Sequence, residues 1–244
     1  MELGKALNTP PKPGALIGVG IGPGAPDLLT IRAARLIEGA TTIAYPAPLG
    51  GQSLARSIAA SFIPKSAQEI IIAVPMTQER GPAQDAYDRG AALIAEVLEG
   101  GEDVICLCEG DPLFFGSFMY LHARLAGKYD VSVVPGITSV SAATALAGLP
   151  LAARNDQLSV LSAGLEEAAL TQRIAATDAA VIMKLGRHLP KLRRVIEALG
   201  LTARAHYVER VSLEGERLLP LADAPDTAPY FSMILLTKGG DPWL

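Results

Sequence analysis

Residues 16–30 read LIGVGIGPGAPDLLT. The apolar, partly β-branched run at the start of this stretch is typical of a buried strand. Its four glycines and two prolines indicate a tight connection. Pro26 and Asp27 suit the first turn of a helix and Gly39 suits its end, so we predict a helix over residues 26–39. Strand, glycine turn and helix in this order are the first unit of an α/β fold.

The same alternation of strand and helix patterns continues along the chain. In the first half, strands are predicted at 15–21, 41–46, 69–75, 102–108 and 130–135, and helices at 26–39, near 52–61 and at 84–100. Apolar runs separated by helices predict a parallel sheet covered on both faces. In the second half, strands are predicted at 157–163, 178–185, 203–211 and 230–239, and helices near 165–176 and 188–199. We therefore expect a flexible tail over 1–13, an α/β domain over 14–149 and a second α/β domain over 150–244.

Composition limits the function classes. The 244 residues carry a net charge of −4, with 50% hydrophobic and 19% charged residues, which is typical of a globular protein and predicts neither nucleic-acid nor membrane binding. Apolar runs fall short of the roughly 18 residues of a membrane span, and the first residues do not resemble a signal peptide, so we expect a cytoplasmic protein. Cys106 and Cys108 alternate in one predicted strand, which indicates small buried residues and no metal site.

The glycine turn matches a dinucleotide-binding loop only in part. Started at Gly18, the pattern G-x-G-x-x-G meets Pro23, and started at Gly20 it ends in Ala25, which fits only its permissive form. Such a site also needs an acidic residue at the end of the second strand, where this chain has Tyr45. A nicotinamide-dependent oxidoreductase is therefore a distant alternative. Two interpretations stay open: a turn that needs positive φ values, and a loop whose backbone approaches a ligand other than a pyrophosphate.

Two further loops follow predicted strands. Residues 106–125, CLCEGDPLFFGSFMYLHARL, run from an apolar strand through an acidic turn to aromatic residues and an amphipathic helix. Because ligands lie beyond the carboxyl ends of parallel strands, Asp111 is expected at a ligand edge, and a helix N-cap is the alternative. Residues 133–148, VVPGITSVSAATALAG, place Thr138 and Ser139 at the start of a small-residue helix, either as caps or as ligand contacts.

The three loops in this order resemble those of the tetrapyrrole methylase family, the class III S-adenosylmethionine (SAM) methyltransferases. The resemblance rests on VGIGPGAPDLLT, EGDPLFFGS and VVPGITSVSAA and extends over residues 14–240, with Ala25 where many members have aspartate. It implies two α/β domains with mainly parallel or mixed sheets, a SAM-binding cleft between them, no metal, and a homodimer. Stretches such as AGLPLAARNDQLSVL and AHYVERVSLEGER resemble the branch that methylates carbon 20 of precorrin-2 to give precorrin-3A in cobalamin biosynthesis.

The resemblance also implies the residues that contact SAM. The implied SAM contacts come from the three loops and from the second half: Ile21, Gly22, Pro23, Asp111, Leu113, Phe114, Thr138, Ser139, Met183, Glu209 and Arg210. Met183 has ordinary strand packing as its alternative. The expected contacts with the acceptor, a reduced polycarboxylate tetrapyrrole, are Glu109, Arg154 and Asp156.

The chemistry of methyl transfer leaves several questions open. Transfer to a nucleophilic meso carbon needs alignment of the reactants and exclusion of water, and neither a metal nor a covalent intermediate is required. A base could then remove the meso proton, and spacing does not choose among His188, His206, Glu109 and Asp156. A basic segment fits either a polyanion-attracting surface or a solvated helix face; it comprises Lys184, Arg187, Lys191, Arg193, Arg194, Arg204 and Arg210. A cobalt-containing macrocycle, another tetrapyrrole acceptor and a catalytically silent SAM-binding protein also remain as alternatives.

Overall fold

The computed structural model describes residues 12–75 and 80–239 and divides them into two compact units between Ile137 and Thr138. Nearly all of the predicted tail lies outside the described residues. The division precedes the predicted boundary at 149/150 because the helix that follows Thr138 packs against the second sheet. Within the described residues, no helix is long and apolar enough to cross a membrane.

The first unit is a parallel sheet with helices between its strands, as predicted. Its strands are β1 (Ala15–Gly20), β2 (Thr42–Pro48), β3 (Gln68–Val74), β4 (Val104–Cys108) and β5 (Asp130–Val134). Its helices are α1 (Ile31–Glu38), α2 (Leu54–Ile58), α3 (Arg80–Glu99) and α4 (Phe118–Leu125). The sheet order is β3-β2-β4-β1-β5, and all of its pairings are parallel, so the carboxyl ends of the strands meet at one edge.

Two apolar clusters cover the two faces of this sheet. Cys106 and Cys108 point into the cluster formed with α3 and α4, whereas Ile105 and Leu107 point into the cluster formed with α1 and α2. Strand β4 is therefore apolar at every position, because both of its faces are buried. Burial raises the pKa of both cysteine thiols, in agreement with the predicted role as small buried residues.

The helix predicted over 26–39 is interrupted. A 3-10 helix spans Pro26–Leu28, and α1 begins only after Thr30, whose side-chain oxygen accepts a hydrogen bond from the Ala33 amide at 3.1 Å. Thr30 is thus the N-cap of α1, and the proline and aspartate belong to the short turn before it.

Strand β2 continues beyond the end predicted at Pro46. It pairs with β3 as far as Pro48, but it pairs with β4 only along Thr42–Ala44. Its last residues therefore have a strand partner on one side, which is where a sheet tolerates proline. Tyr45 consequently lies inside the strand, and its side chain is buried.

The second unit is a mixed sheet with helices on both faces. Its strands are β6 (Leu158–Ser162), β7 (Ala179–Met183), β8 (Ala205–Glu209), β9 (Arg217–Pro220) and β10 (Ser232–Thr237). Its helices are α5 (Ser139–Ala147), α6 (Glu167–Ala175) and α7 (Leu189–Ala198). The order is β6-β7-β10-β8-β9; β6 and β7 pair in parallel, and the other pairings described are antiparallel.

Strand β9 was not predicted from the sequence. It has only four residues, RLLP, and all of them are exposed or half-buried, so it lacks both alternation and a long apolar run. The fully buried Tyr207 packs with α6 and α7 on one face of this sheet. Met183 packs with α5 residues on the other face.

Candidate functional site

The loops that follow β1, β4 and β5 meet at the carboxyl edge of the first sheet. The Gly110 amide donates a hydrogen bond to the Gly22 carbonyl at 2.7 Å, and the Ile21 amide donates to the Cys108 carbonyl at 3.1 Å. The third loop joins them through Gly136. The structure therefore brings together the backbone of residues that the sequence had placed in three separate motifs.

The glycines of these loops permit close contact between backbones. A Cβ atom on Gly20 would lie 2.5 Å from the Gly136 amide nitrogen and 2.7 Å from the Gly110 carbonyl oxygen, too close for any side chain. Gly22 has a φ of +79°, which confirms the interpretation of a turn that needs positive φ. Gly110 differs, because the nearest atom to a Cβ there would be the Ile137 carbonyl oxygen at 4.0 Å. The backbone around Gly110 is therefore less closely packed than that around Gly20.

Asp111 connects the second loop to the third. Its Oδ2 accepts a hydrogen bond from the Gly136 amide at 3.1 Å, and its Oδ1 accepts one from the Leu113 amide at 3.0 Å. The N-cap interpretation is wrong, because α4 begins later, at Phe118, with Ser117 as its N-cap residue. Each carboxylate oxygen keeps a further lone pair that can accept from a ligand.

Large apolar side chains project from the same turn. The exposed fractions of Leu113, Phe114 and Phe115 are 52%, 36% and 39%. The two phenylalanine rings pack edge to face, with centroids 5.4 Å apart. Phe115 has a φ of +57°, a left-handed conformation that costs a residue with a side chain about 1–2 kcal/mol. Sequence reasoning missed Phe115, because no local pattern signals that an aromatic residue will adopt this conformation.

Glu109 is the candidate base that lies beside these loops. It follows β4 directly, and burial raises the pKa of its carboxyl group. Hydrogen bonds from its own backbone amide and from that of Ala55, in α2, offset part of that rise. A carboxyl group with a raised pKa can exchange a proton closer to neutral pH than a solvated one.

The other candidate bases belong to the second unit. Burial, reinforced by the positive charges of Lys191 and Arg187, lowers the pKa of His188 at the start of α7. His206 lies on β8 between Ala205 and Tyr207.

Arg154 and Asp156 lie in an exposed turn before β6. The Asp156 carboxylate accepts a hydrogen bond from the Ala153 amide at 2.9 Å and so stabilises its own turn. Arg154 has a φ of +48° within this turn.

Thr138 acts as a helix cap. Its Oγ1 accepts a hydrogen bond from the Ser141 amide at 3.2 Å, and Ser139 is the first residue of α5. The capping alternative is therefore confirmed for Thr138.

Met183 and Glu209 lie at corresponding ends of β7 and β8 but face opposite sides of the sheet. Met183 is buried in the cluster beneath α5, as its packing alternative predicted. The carboxylate of Glu209, 8% exposed, accepts hydrogen bonds from the Tyr207 hydroxyl and from Arg217 Nη1, the latter at 3.2 Å. Arg210 follows with a φ of +51°, and its amide donates to the Phe231 carbonyl at 2.8 Å.

The basic segment is largely engaged in contacts within the second unit. Lys191 donates to the Leu165 carbonyl, and Arg194 pairs with Glu167 at 3.0 Å. Arg193 and Arg204 donate to backbone carbonyls of Ala224, Pro225 and Lys238. These contacts favour the structural interpretation of the segment over a single polyanion-binding surface.

A tyrosine–carboxylate–arginine arrangement joins β2, β3 and α2 of the first unit. The Tyr45 hydroxyl donates to Glu69 Oε2 at 2.5 Å, and Arg56 binds both oxygens of Glu69 at 3.0 Å. Hydrogen bonding from Arg56 is the main cause that lowers the pKa of Glu69. The Glu69 carboxylate is therefore hydrogen-bonded within the protein. In a dinucleotide-binding site, the corresponding acidic side chain binds the ribose hydroxyl of the cofactor. Among the described side chains, no group of three or more His, Cys, Asp or Glu residues could hold a metal ion.

Comparison with known proteins agrees with this arrangement. The family model for tetrapyrrole (corrin/porphyrin) methylases matches residues 15–225. A Sinorhizobium protein named precorrin-2 C(20)-methyltransferase is 43% identical, over 91% of this chain and 95% of its own length. A Salmonella typhimurium protein named cobalt-precorrin-2 C(20)-methyltransferase is 31% identical, over 92% of this chain and 97% of its own length.

Some relatives are longer than this chain. Proteins of Mycobacterium bovis and Mycobacterium tuberculosis named cobalamin biosynthesis protein CobIJ are 43% identical over 93% of this chain, which spans only 46% of their length.

Solved structures show the same fold. A uroporphyrin-III C-methyl transferase from Thermus thermophilus, crystallised with S-adenyl homocysteine, superimposes with a TM-score of 0.64 and 26% identity, over 91% of this chain and 97% of that one. The fold, the three joined loops and the match over 15–225 agree: this chain belongs to the tetrapyrrole methylase family.

Proposed function

We propose that this chain is a SAM-dependent methyltransferase that methylates carbon 20 of precorrin-2, giving precorrin-3A and S-adenosylhomocysteine in cobalamin biosynthesis. The observation that carries the proposal is the 43% identity to the Sinorhizobium enzyme over nearly the full length of both chains. The three loops joined at one sheet edge add a structural reason, because that edge is where an open parallel sheet binds ligands.

The residues at this edge fit SAM. When bound, SAM supplies an electrophilic methyl group on a sulfonium cation. The Ile137 carbonyl oxygen lies near Gly110, and a backbone carbonyl is one of the polar groups that orient a small ligand. Leu113 and Phe114 offer apolar surface, and Asp111 keeps acceptor capacity.

We assign the SAM-binding roles as the family resemblance implies, and the acceptor-binding roles as expected from the positions of the residues in the sequence. The assigned SAM contacts of the first unit come from two loops. They are Ile21, Gly22 and Pro23 after β1, and Asp111, Leu113 and Phe114 after β4. Thr138, Ser139, Met183, Glu209 and Arg210 are the assigned SAM contacts of the second unit, and Glu109, Arg154 and Asp156 the assigned acceptor contacts. Their work is to align the reacting carbon with the methyl group and to exclude water, because an in-line displacement on a sulfonium needs little more from the protein.

The proposed enzyme is a cytoplasmic homodimer that works without a metal cofactor and without nucleic-acid or membrane partners. The family resemblance supports the dimer and the lack of a metal cofactor, and the composition supports the other expectations. Light scattering coupled to size-exclusion chromatography measures the dimer directly, and a monomer at micromolar concentration contradicts it.

The acceptor is tested with two macrocycles. Purified protein, SAM and freshly generated precorrin-2 should yield one added methyl group and S-adenosylhomocysteine. The cobalt-containing counterpart is the second candidate acceptor, favoured by the Salmonella relative at 31% identity. Faster turnover of the cobalt complex would reassign the substrate, and methylation of uroporphyrinogen III alone would retain the family and refute the carbon-20 assignment.

Calorimetry and a turnover assay together separate two more distant functions. A nicotinamide-dependent oxidoreductase would bind NADH and not SAM. Binding of the NADH ribose needs a free acidic side chain, whereas the Glu69 carboxylate is paired with Arg56. A catalytically silent SAM-binding protein would bind S-adenosylhomocysteine but turn over none of the reduced tetrapyrroles. The proposed enzyme should bind S-adenosylhomocysteine and should not bind NADH.

A further inference from the structure

Phe115 has an unfavourable backbone conformation, and its side chain remains partly exposed. Five described residues other than glycine have a positive φ, and Phe115 is the aromatic one among them. Neighbouring positions with positive φ, Gly22 and Gly110, are glycines, so these loops elsewhere use the residue that adopts this conformation without strain. The Phe115 side chain is also 39% exposed, so burial compensates only partly for the strain. An observed strain of this kind indicates a functional constraint.

The turn that presents Phe115 is held firmly from both ends. Asp111 fixes its start through the Leu113 and Gly136 amides. Gly116 fixes its end, because a Cβ there would lie 2.7 Å from the Pro112 carbonyl oxygen. The edge-to-face contact with Phe114 then orients the ring. The exposed aromatic surface is therefore part of a defined conformation and is continuous with the proposed SAM-binding loop.

We propose that Phe115 is a binding contact for the tetrapyrrole, whose apolar ring carbons pack on its exposed aromatic ring. This inference rests on the proposed function and deepens it. A reduced tetrapyrrole offers apolar ring carbons with carboxylates at its rim, and an exposed aromatic ring contacts those carbons without requiring any charge of its own. Phe114 packs against this ring edge to face, with the two ring centroids 5.4 Å apart.

The test compares Phe115→Gly with Phe115→Tyr. The glycine variant removes the ring and relieves the backbone strain, whereas the tyrosine variant keeps the ring. We expect Phe115→Gly to raise the KM for precorrin-2 about tenfold, as for the loss of one aromatic contact. The Kd for S-adenosylhomocysteine, measured by calorimetry, should stay within about twofold of that of the parent protein. Phe115→Tyr should restore the KM.

The stability readout distinguishes this role from a structural one. The melting temperature of Phe115→Gly should equal or exceed that of the parent, because relief of strain offsets the lost partial burial. Leu93→Ala, which removes a comparably exposed apolar side chain (47%) from α3, is the control and should leave the KM unchanged.

An unchanged KM for Phe115→Gly, or an equal loss of S-adenosylhomocysteine affinity, overturns the inference. Failure of the parent protein to methylate any reduced tetrapyrrole overturns the proposed function instead, and the inference with it.

Discussion

Asp111 and Gly136 are linked by a 3.1 Å hydrogen bond from the Gly136 amide to the Asp111 carboxylate, although 25 positions separate them in the chain. This bond ties the loop after β4 to the loop after β5, and the glycine contacts tie both to the loop after β1. One carboxylate thus organises the sheet edge at which we propose that the ligands bind.

Replacement of Asp111 tests both its structural role and its proposed role in ligand binding. Asp111→Ala removes the acceptor for two backbone amides, so we expect a loss of about 1–3 kcal/mol in the free energy of unfolding and weaker S-adenosylhomocysteine binding. Asp111→Asn keeps one acceptor oxygen, so it should lose less unfolding free energy and less affinity for S-adenosylhomocysteine than the alanine variant. Urea unfolding and calorimetry on the same samples measure the two effects, and an alanine variant with parental stability and parental affinity contradicts the assignment.

Gly20→Ala should be strongly destabilising. The added methyl group would lie within 2.7 Å of both the Gly136 nitrogen and the Gly110 oxygen, and overpacking against backbone costs about 1–3 kcal/mol. Gly127→Ala is the matched control in the same unit, because a Cβ there would have no atom within 4 Å and its φ is not positive. Thermal unfolding of both variants provides the comparison, and equal melting temperatures would mean that the three loops are not packed as described.

Tyr207→Phe tests the buried network around Glu209. Its hydroxyl donates to a carboxylate that is 8% exposed, so the variant leaves a buried charge with one donor fewer and should lose about 1.5–3 kcal/mol of unfolding free energy. Tyr129→Phe makes the same change at a tyrosine that donates to Glu99 near the surface, at 2.8 Å, and should cost little. Denaturant midpoints compare the pair, and a Tyr207→Phe variant no less stable than Tyr129→Phe would argue against the network.

Glu109→Gln tests the raised pKa of the buried carboxyl. Because the folded state raises this pKa above its ordinary value of 4.5, the protonated group favours folding below that pH, and this stability is lost as the pH rises through the folded pKa. The glutamine variant does not titrate, so its stability relative to the parent should increase from pH 4 towards pH 7 as the parent ionises. Unfolding curves across this range measure the difference, and a difference that is constant with pH would show that the Glu109 pKa is not raised.

The sequence predicted the elements of the first unit because their signals are local. Apolar runs such as Val104–Cys108 require burial on both faces, and only a parallel sheet with helices on both sides provides it. Because ligands lie beyond the carboxyl ends of parallel strands, the sequence also predicted that Asp111 would lie at a ligand edge. The motifs quoted for the family resemblance led to the family to which the chain belongs.

The second unit was less accessible to sequence reasoning, because its pairings depend on distant parts of the chain. The antiparallel pairing of β10 with β7 and β8, and the short edge strand β9, follow no local pattern. The sequence also did not indicate that Met183 and Glu209 face opposite sides of one sheet.

The glycine stretch at residues 16–30 also has features that the sequence predicted and features that depend on the tertiary structure. Its composition alone indicated a tight turn and weighed against a pyrophosphate site. Only the tertiary structure decided why the glycines are needed, since the atoms that exclude a side chain from Gly20 belong to residues 110 and 136. Only the tertiary structure, likewise, placed Phe115 in a left-handed conformation, because that φ value is imposed by the anchored turn around it and not by the residue itself.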